Sequence, residues 1–226
     1  MELKLYEQFL LLSIDKAKGK FLIDSLSLNY GLSGAILMQL SSNDLIKIEK
    51  KKIIATKRDC KDDATLNYCL ELINSSKKVR TAKYWVNKIG SKTGSIRNQI
   101  LLDLCDKRIL KKQKNKVLWI FSVTRYPVID NTEIEDLKKL INDIVFNYQK
   151  AELNTLLLLS LIYSCKLTRV LFPDKTHYKK ANERIKELTK NIELGEVVSQ
   201  TIKEIQAAVI IASTTAAIAA TTASSS

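Results

Sequence analysis

The sequence predicts a mainly α fold, a single compact helical domain with a central helix bundle and two small β-hairpins. Three observations carry that expectation. Apolar residues recur at helical spacing along most of the chain, two short stretches switch to strand-like runs beside basic turns, and Pro127 and Pro173 are the only prolines in 226 residues. A chain of that length can share one core, and no linker divides it. Residues 1–220 are read as one domain and residues 221–226 as a polar tail that frays.

The most informative stretch is 31–55. Ile36, Leu37, Leu40 and Leu45 set an apolar stripe on one helical face, which ends near the turn signal Ser41-Ser42-Asn43-Asp44. Gly31 and Gly34 are read as letting the chain turn tightly into this helix. The period then changes. Leu45, Ile46 and Ile48 are β-prone, Glu49-Lys50-Lys51-Lys52 forms a charged turn, and Ile53-Ile54-Ala55 returns as a second strand, giving a helix followed by a wing.

Helices follow at 65–75, with Leu66, Cys69, Leu70 and Ile73 on one face, at 79–89, with Trp85, Val86 and Ile89, and at 97–105, with Ile100, Leu101 and Leu104. Gly90 and Gly94 bound the break between the last two, where Ser95 is the expected N-cap. Residues 111–116 read as a polar basic turn, and 117–123, VLWIFSV, as a strand of the second hairpin. Pro127 and Asp130-Asn131 close it, and Asn131-Thr132 can cap a helix starting near Glu133. Helices at 133–148, 153–171, 177–191 and 196–220 complete the chain.

Several function classes lose support. The apolar run 153–163 is too short to cross a bilayer, and 205–220 spans roughly 24 Å as a helix against a hydrocarbon region of about 30 Å, so both read as buried helices. Cys60, Cys69, Cys105 and Cys165 form no C-x-x-C pair, which suggests neither a zinc site nor a redox dithiol. Reduced thiols and the lack of a signal segment make the cytoplasm the default compartment. Nucleophilic catalysis needs positioned partners, yet the single histidine, His177, reads as a surface residue at a helix start. The carboxylate pairs Asp62-Asp63 and Glu133-Glu135 sit in charged segments that read as solvated. Gly31-Leu32-Ser33-Gly34 lacks the strand-loop-helix context of a phosphate loop. No enzymatic activity, cofactor or metal is expected.

What the chain does carry is positive charge: 37 Lys and Arg against 24 Asp and Glu, a formal +13. The excess favours an anionic partner, a lipid headgroup surface or a nucleic acid, although interspersed charges also simply solvate a surface. It is clustered. The first wing gathers Lys47, Lys50, Lys51, Lys52, Lys57, Arg58 and Lys61, the second Lys107, Arg108, Lys111, Lys112, Lys114 and Lys116, and a third group lies between Lys77 and Lys92. Each lysine near an anionic bilayer contributes roughly 1 kcal/mol, so about half a dozen on one face suffice for peripheral attachment. Trp119 and Phe121 beside the second cluster could add an apolar anchor.

The run GLSGAILMQLSSNDLIKIEKKKIIA at 31–55 resembles the glycine-containing helix and basic strand of the Golgi phosphoprotein 3 family. Three further segments are similar to that family in the same order: LKLYEQFLLL at 3–12, an opening helix, LLLLSLIYSCKLTRVLF at 156–172, and KANERIKEL at 180–188. The resemblance implies a non-enzymatic peripheral membrane protein on the cytosolic face of the Golgi, or a divergent or prokaryotic relative without that address. It implies binding of phosphatidylinositol 4-phosphate and an adaptor role toward the cytoplasmic tails of membrane proteins. The family's headgroup residues fall at about Asp24, at Ser33, at about Gly94 and at Arg97, with Lys92 near enough to serve for Gly94. Only Arg97 keeps the family's residue type. The headgroup candidates are thus Arg97, Lys92 and Ser33. The family hairpin for membrane contact and self-association corresponds to 112–124, which makes Lys112, Lys114, Lys116, Trp119 and Phe121 its candidates and a homo-oligomer an expected state. The alternative is a winged-helix nucleic-acid binder, whose recognition helix would offer only Asn29, Tyr30, Ser33 and Gln39. An inert interaction scaffold is the third reading.

Overall fold

In the computed structural model the chain runs α1 (Leu5–Leu12), α2 (Ser25–Ser42), β1 (Ile46–Glu49), β2 (Lys52–Ala55), α3 (Ala64–Asn74), α4 (Ala82–Gly90), α5 (Thr93–Asp106), β3 (Gln113–Val117), β4 (Phe121–Arg125), α6 (Thr132–Phe146), α7 (Leu153–Ser164), α8 (Thr168–Leu171) and α9 (Lys175–Lys190). Residues 207–214 add a further helical segment. The structure describes residues 3–57, 59–117, 121–190 and 207–214, without the side chains of residues 115–117, 121, 122 and 190. The fold is mainly α with two antiparallel two-stranded sheets, β1-β2 and β3-β4, as the sequence pattern predicts.

The axis of the bundle is α2. Leu28, Leu32, Ile36, Leu37, Met38 and Leu40 are all buried, and a helix that is apolar around its circumference must be covered on every side. Helices α1, α3, α4, α5 and α7 supply the cover, while α6 and α9 pack outside them. The helix begins at Ser25, well before the glycines. Asp24 caps it, its carboxylate accepting the N–H groups of Leu26 at 3.0 Å and Ser27 at 2.9 Å.

That start corrects the reading of the glycines. Gly31 and Gly34 lie inside α2, where the missing side chain permits close helix packing. A Cβ at Gly31 would collide with the Phe9 ring of α1 and come within 2.6 Å of Cys165 Sγ. At Gly34 it would come within 2.5 Å of Val209 Cγ2 and 3.2 Å of a Leu161 methyl. Residues 207–214 thus cross the bundle axis at Gly34. This segment falls within the expected helix 196–220; the rest of that helix and the tail 221–226 lie outside the described residues.

The wing forms where expected, with Ile46 opposite Ala55 and Glu49 opposite Lys52. Its turn is tighter than a four-residue loop: only Lys50 and Lys51 connect the strands, at φ 48° and 63°, both left-handed as a two-residue hairpin requires. The second hairpin shifts more. Residues 113–117, read as a basic turn, form strand β3, paired in register from Gln113 opposite Arg125 to Val117 opposite Phe121. A polar ribbon lacks the apolar alternation by which strands are recognised, so pairing here is set by the partner strand.

Three boundaries differ for local reasons. Helix α5 starts at Thr93, and Ser95 spends its hydroxyl on the Lys92 carbonyl instead of capping. Asp130, not Asn131, caps α6, accepting the Thr132 N–H at 3.0 Å. The helix expected over 153–171 breaks into α7 and α8 at Lys166, whose φ is 59°.

Buried charge ties α1 to its neighbours. Glu7 is 2% exposed and accepts the Lys107 ammonium at 2.7 and 2.8 Å and the Lys4 N–H at 2.9 Å. Asp63, read as solvated, is 6% exposed instead: it accepts the Tyr6 hydroxyl at 2.8 Å, pairs with Lys4 at 2.8 Å, and caps α3 through the Leu66 N–H. Burial and then Asp63 push the Tyr6 phenol far above its usual range, so it stays a donor. The four cysteines are free thiols, Cys69 and Cys165 buried and Cys60 and Cys105 half-buried.

Candidate anionic-headgroup site

The site is built where α5 begins. Only Ser91 and Lys92 separate it from α4, and Lys92, at the N-cap position, supplies no capping side chain. The Thr93 hydroxyl is turned back to the Ile89 and Gly90 carbonyls, and the N–H groups of Thr93, Gly94 and Ser95 donate to nothing in the described structure. An uncapped helix start presents unsatisfied donors at the positive end of the helix dipole. Gly94 is exposed, and a Cβ placed on it would meet nothing within 4 Å among the described residues.

One turn on, Arg97 is half-buried. Its Nη1 donates to Asn29 Oδ1 of α2 at 3.3 Å, and its guanidinium carbon lies 5.2 Å from the centre of the Phe21 ring. No carboxylate of the described residues reaches within 4 Å of it. Burial lowers its pKa, with Tyr126 acting the other way, yet a guanidinium stays charged at any physiological pH. A half-buried cation with no carboxylate partner among the described residues is where an incoming anion gains a charge-assisted bond.

The second hairpin is fastened beside it. The Ile14–Phe21 bridge closes the loop after α1, and that loop holds the end of β4: the Tyr126 N–H donates to the Gly19 carbonyl at 3.1 Å and the Val128 N–H to the Lys16 carbonyl at 2.9 Å. Gly19 has φ +57°, and its Cβ position is filled by the Tyr126–Pro127 backbone, so only glycine fits. Phe21, under Arg97, therefore belongs to the same loop that anchors the hairpin. Exposed Lys18 and Lys20 stand on this loop, exposed Lys112 and Lys114 on β3 and its approach, and half-buried Arg125 on β4.

Of the residues singled out from the sequence, Arg97 and Lys92 flank the open turn of α5, one at each end. Ser33 is completely buried; its hydroxyl donates to the Asn29 carbonyl at 2.7 Å, so it adjoins Arg97 through Asn29. Lys114 and Lys116 lie on β3, opposite Thr124 and Ser122 of β4. Trp119 lies outside the described residues, as do the side chains of Lys116 and Phe121. Phe21, Lys18, Lys20 and Arg125 are not among those candidates, and Asn29 figures only in the winged-helix alternative. The signal for Asn29 is its position four residues before Ser33 on the same helical face.

The other basic clusters resolve differently. Lys107 is consumed by Glu7, and Lys47 by Glu49 at 2.6 Å. The first wing is joined to the start of the third cluster by the Ile53 N–H, which donates to the Arg80 carbonyl at 2.7 Å, so the wing and Lys77, Lys78 and Arg80 sit at the opposite end of α4 from Lys92. His177 is exposed beside Asp174 at 3.1 Å. Among the described residues no cluster of His, Cys, Asp and Glu could hold a metal, and no helix is long and apolar enough to cross a membrane. The winged-helix alternative requires an exposed recognition helix, whereas α2 is buried from Gly31 through Met38.

The chain is 23% identical over 163 residues to vacuolar protein sorting-associated protein 74 of Schizosaccharomyces pombe (strain 972 / ATCC 24843), a match that covers 63% of this chain and 48% of that protein. The chain thus spans about half the length of this curated relative. The family described as Golgi phosphoprotein 3 (GPP34) matches residues 5–205, from the first helix to the segment that crosses α2. By that match over most of its length, the chain belongs to the Golgi phosphoprotein 3 family.

Proposed function

We propose that this protein is a non-enzymatic peripheral membrane protein that docks on anionic lipid headgroups through the start of α5. The observation that carries the reading is Arg97, a half-buried cation with no carboxylate partner among the described residues, one turn from three undonated N–H groups. A monoester phosphate on a lipid headgroup matches that arrangement: its oxygens take the amides of Thr93, Gly94 and Ser95 and the guanidinium of Arg97, with Lys92 alongside. Asn29 orients the guanidinium, and Ser33 holds Asn29 from behind. Lys18, Lys20, Lys112 and Lys114 supply the diffuse attraction that brings the same end of the molecule to an acidic surface.

Membership of the Golgi phosphoprotein 3 family supports a phosphatidylinositol 4-phosphate-like ligand and, in a eukaryotic source, the cytosolic face of the Golgi. The sorting role in the name of the fission-yeast relative supports an adaptor for membrane proteins, with self-association through the second hairpin.

Co-sedimentation with vesicles tests the reading. Binding is expected to rise with the fraction of anionic lipid and to fall with salt. Absence of binding to any acidic vesicle at low salt would overturn it.

A further inference from the structure

A second recognition surface lies at the far end of α4. After the single bridge between Ile53 and Arg80, the segment before Arg80 splays away from β2 and leaves a cleft of about 200 Å³. Ile54 and Ala55 form one wall, Lys78 and Val79 the other, and Ile73 and Trp85 also line it. Two features are unusual for a plain surface dimple. Val79 is 51% exposed at its rim, and the Trp85 Nε1, on a side chain only 2% exposed, has no hydrogen-bond partner among the described residues. A buried indole N–H normally finds an acceptor.

The backbone adds a third. Lys47 and Ile54 exchange the ladder bonds of the wing, and the Thr56 N–H donates to the Leu45 carbonyl, so alternation turns Ile53 and Ala55 outward. Ile53 uses its outward N–H on Arg80, whereas the amide and carbonyl of Ala55 face the cleft side and meet no group of the described structure. Around this edge stand Lys52, Lys57, Lys77, Lys78 and Arg80, all exposed and none within 4 Å of a carboxylate of the described residues. Arg80 instead covers the ring of Tyr84 at 4.8 Å.

We propose that this cleft binds an extended protein segment in which acidic residues flank one bulky aliphatic side chain. The aliphatic group fills the space between Ile54 and Val79, the peptide backbone meets the free edge at Ala55, and the acidic residues pair with the surrounding lysines and Arg80. A strand edge beside an apolar slot favours a polypeptide over a bilayer, which offers neither a backbone nor a single protruding side chain. The site is separate from the α5 start, since α4 (9 residues) places about 13 Å between the two.

Fluorescence anisotropy with a pool of short labelled peptides, Asp- and Glu-rich with one central Leu, Ile or Val, tests the assignment on the whole protein at low salt. Binding is expected, with about tenfold weaker affinity for V79D, for the K78E/R80E variant, and for peptides whose aliphatic residue is replaced by Ser. W85F should weaken it less, and R97Q should leave it unchanged whether or not the headgroup reading holds. The proposal is overturned by failure of every peptide to bind, by equal binding of the Ser peptides, by equal binding to V79D, or by loss of peptide binding in R97Q.

Discussion

Asp24 shows how one side chain sets a boundary. Burial pushes its carboxyl up, but hydrogen bonds from the Ser27 hydroxyl and N–H and the Leu26 N–H outweigh that and hold it below the usual 3.8. D24A should lower stability by about 1 kcal/mol in urea denaturation at neutral pH. A depressed folded-state pKa means this contribution is present above the unfolded value and lost as pH falls through the folded one. The difference between D24A and the wild type should therefore shrink below about pH 3.8; a difference constant from neutral to strongly acidic pH would contradict the cap. Gly31 makes a second test. G31V forces a branched side chain onto the Phe9 ring and the Cys165 sulfur, and should cost about 1–3 kcal/mol or more by thermal unfolding. A neutral effect would mean the glycine is there for the turn, as its sequence position first suggests.

At the level of elements, sequence pattern and tertiary packing agree in some places and part in others. The wing announced itself because Ile46, Ile48 and Ile53 are buried on one side of a lysine turn, so packing and alternation agree. Strand β3 did not, because QKNKV carries no apolar alternation and is defined by its pairing with β4. The candidate site was half legible. Arg97 and Lys92 emerged from the helix start and the family resemblance, but Phe21 and Asn29 reach Arg97 from another loop and another helix, and long-range proximity leaves no local trace in a sequence. The same holds for Lys107: within its cluster it reads as a surface charge, yet it neutralises Glu7 across the α1–α5 junction. K107A leaves a carboxylate buried without its cation and should cost about 3 kcal/mol. The paired change E7Q/K107M should recover most of that loss in the same denaturation experiment. Equal destabilisation by the single and double variants would mean the pair does not act as a unit.

At the scale of the whole molecule, part of the +13 charge stands on two surfaces with different chemistry. One gathers around the start of α5, where Arg97, open backbone amides and the base of the second hairpin meet, and suits a phosphate on a membrane. The other surrounds the cleft beside β2, where a strand edge and an apolar slot suit an acidic polypeptide. Held on opposite ends of α4, they would let one protein sit on a membrane while presenting a separate face to a partner. Exchanging the two groups of charge should then have distinct outcomes: K18E/K20E should weaken vesicle binding severalfold and steepen neither thermal unfolding nor peptide binding, as read by co-sedimentation beside anisotropy. A grip of Arg97 and the α5 amides on a headgroup phosphate would go beyond general attraction to charge. The most direct test compares wild type and R97Q on vesicles of equal total charge containing either phosphatidylinositol 4-phosphate or phosphatidylserine. The wild type is expected to prefer the phosphomonoester lipid and R97Q to lose this preference, binding that lipid about tenfold or more weakly and phosphatidylserine with little change. Equal binding of wild type to the two lipids, or a preference that survives in R97Q, would contradict it.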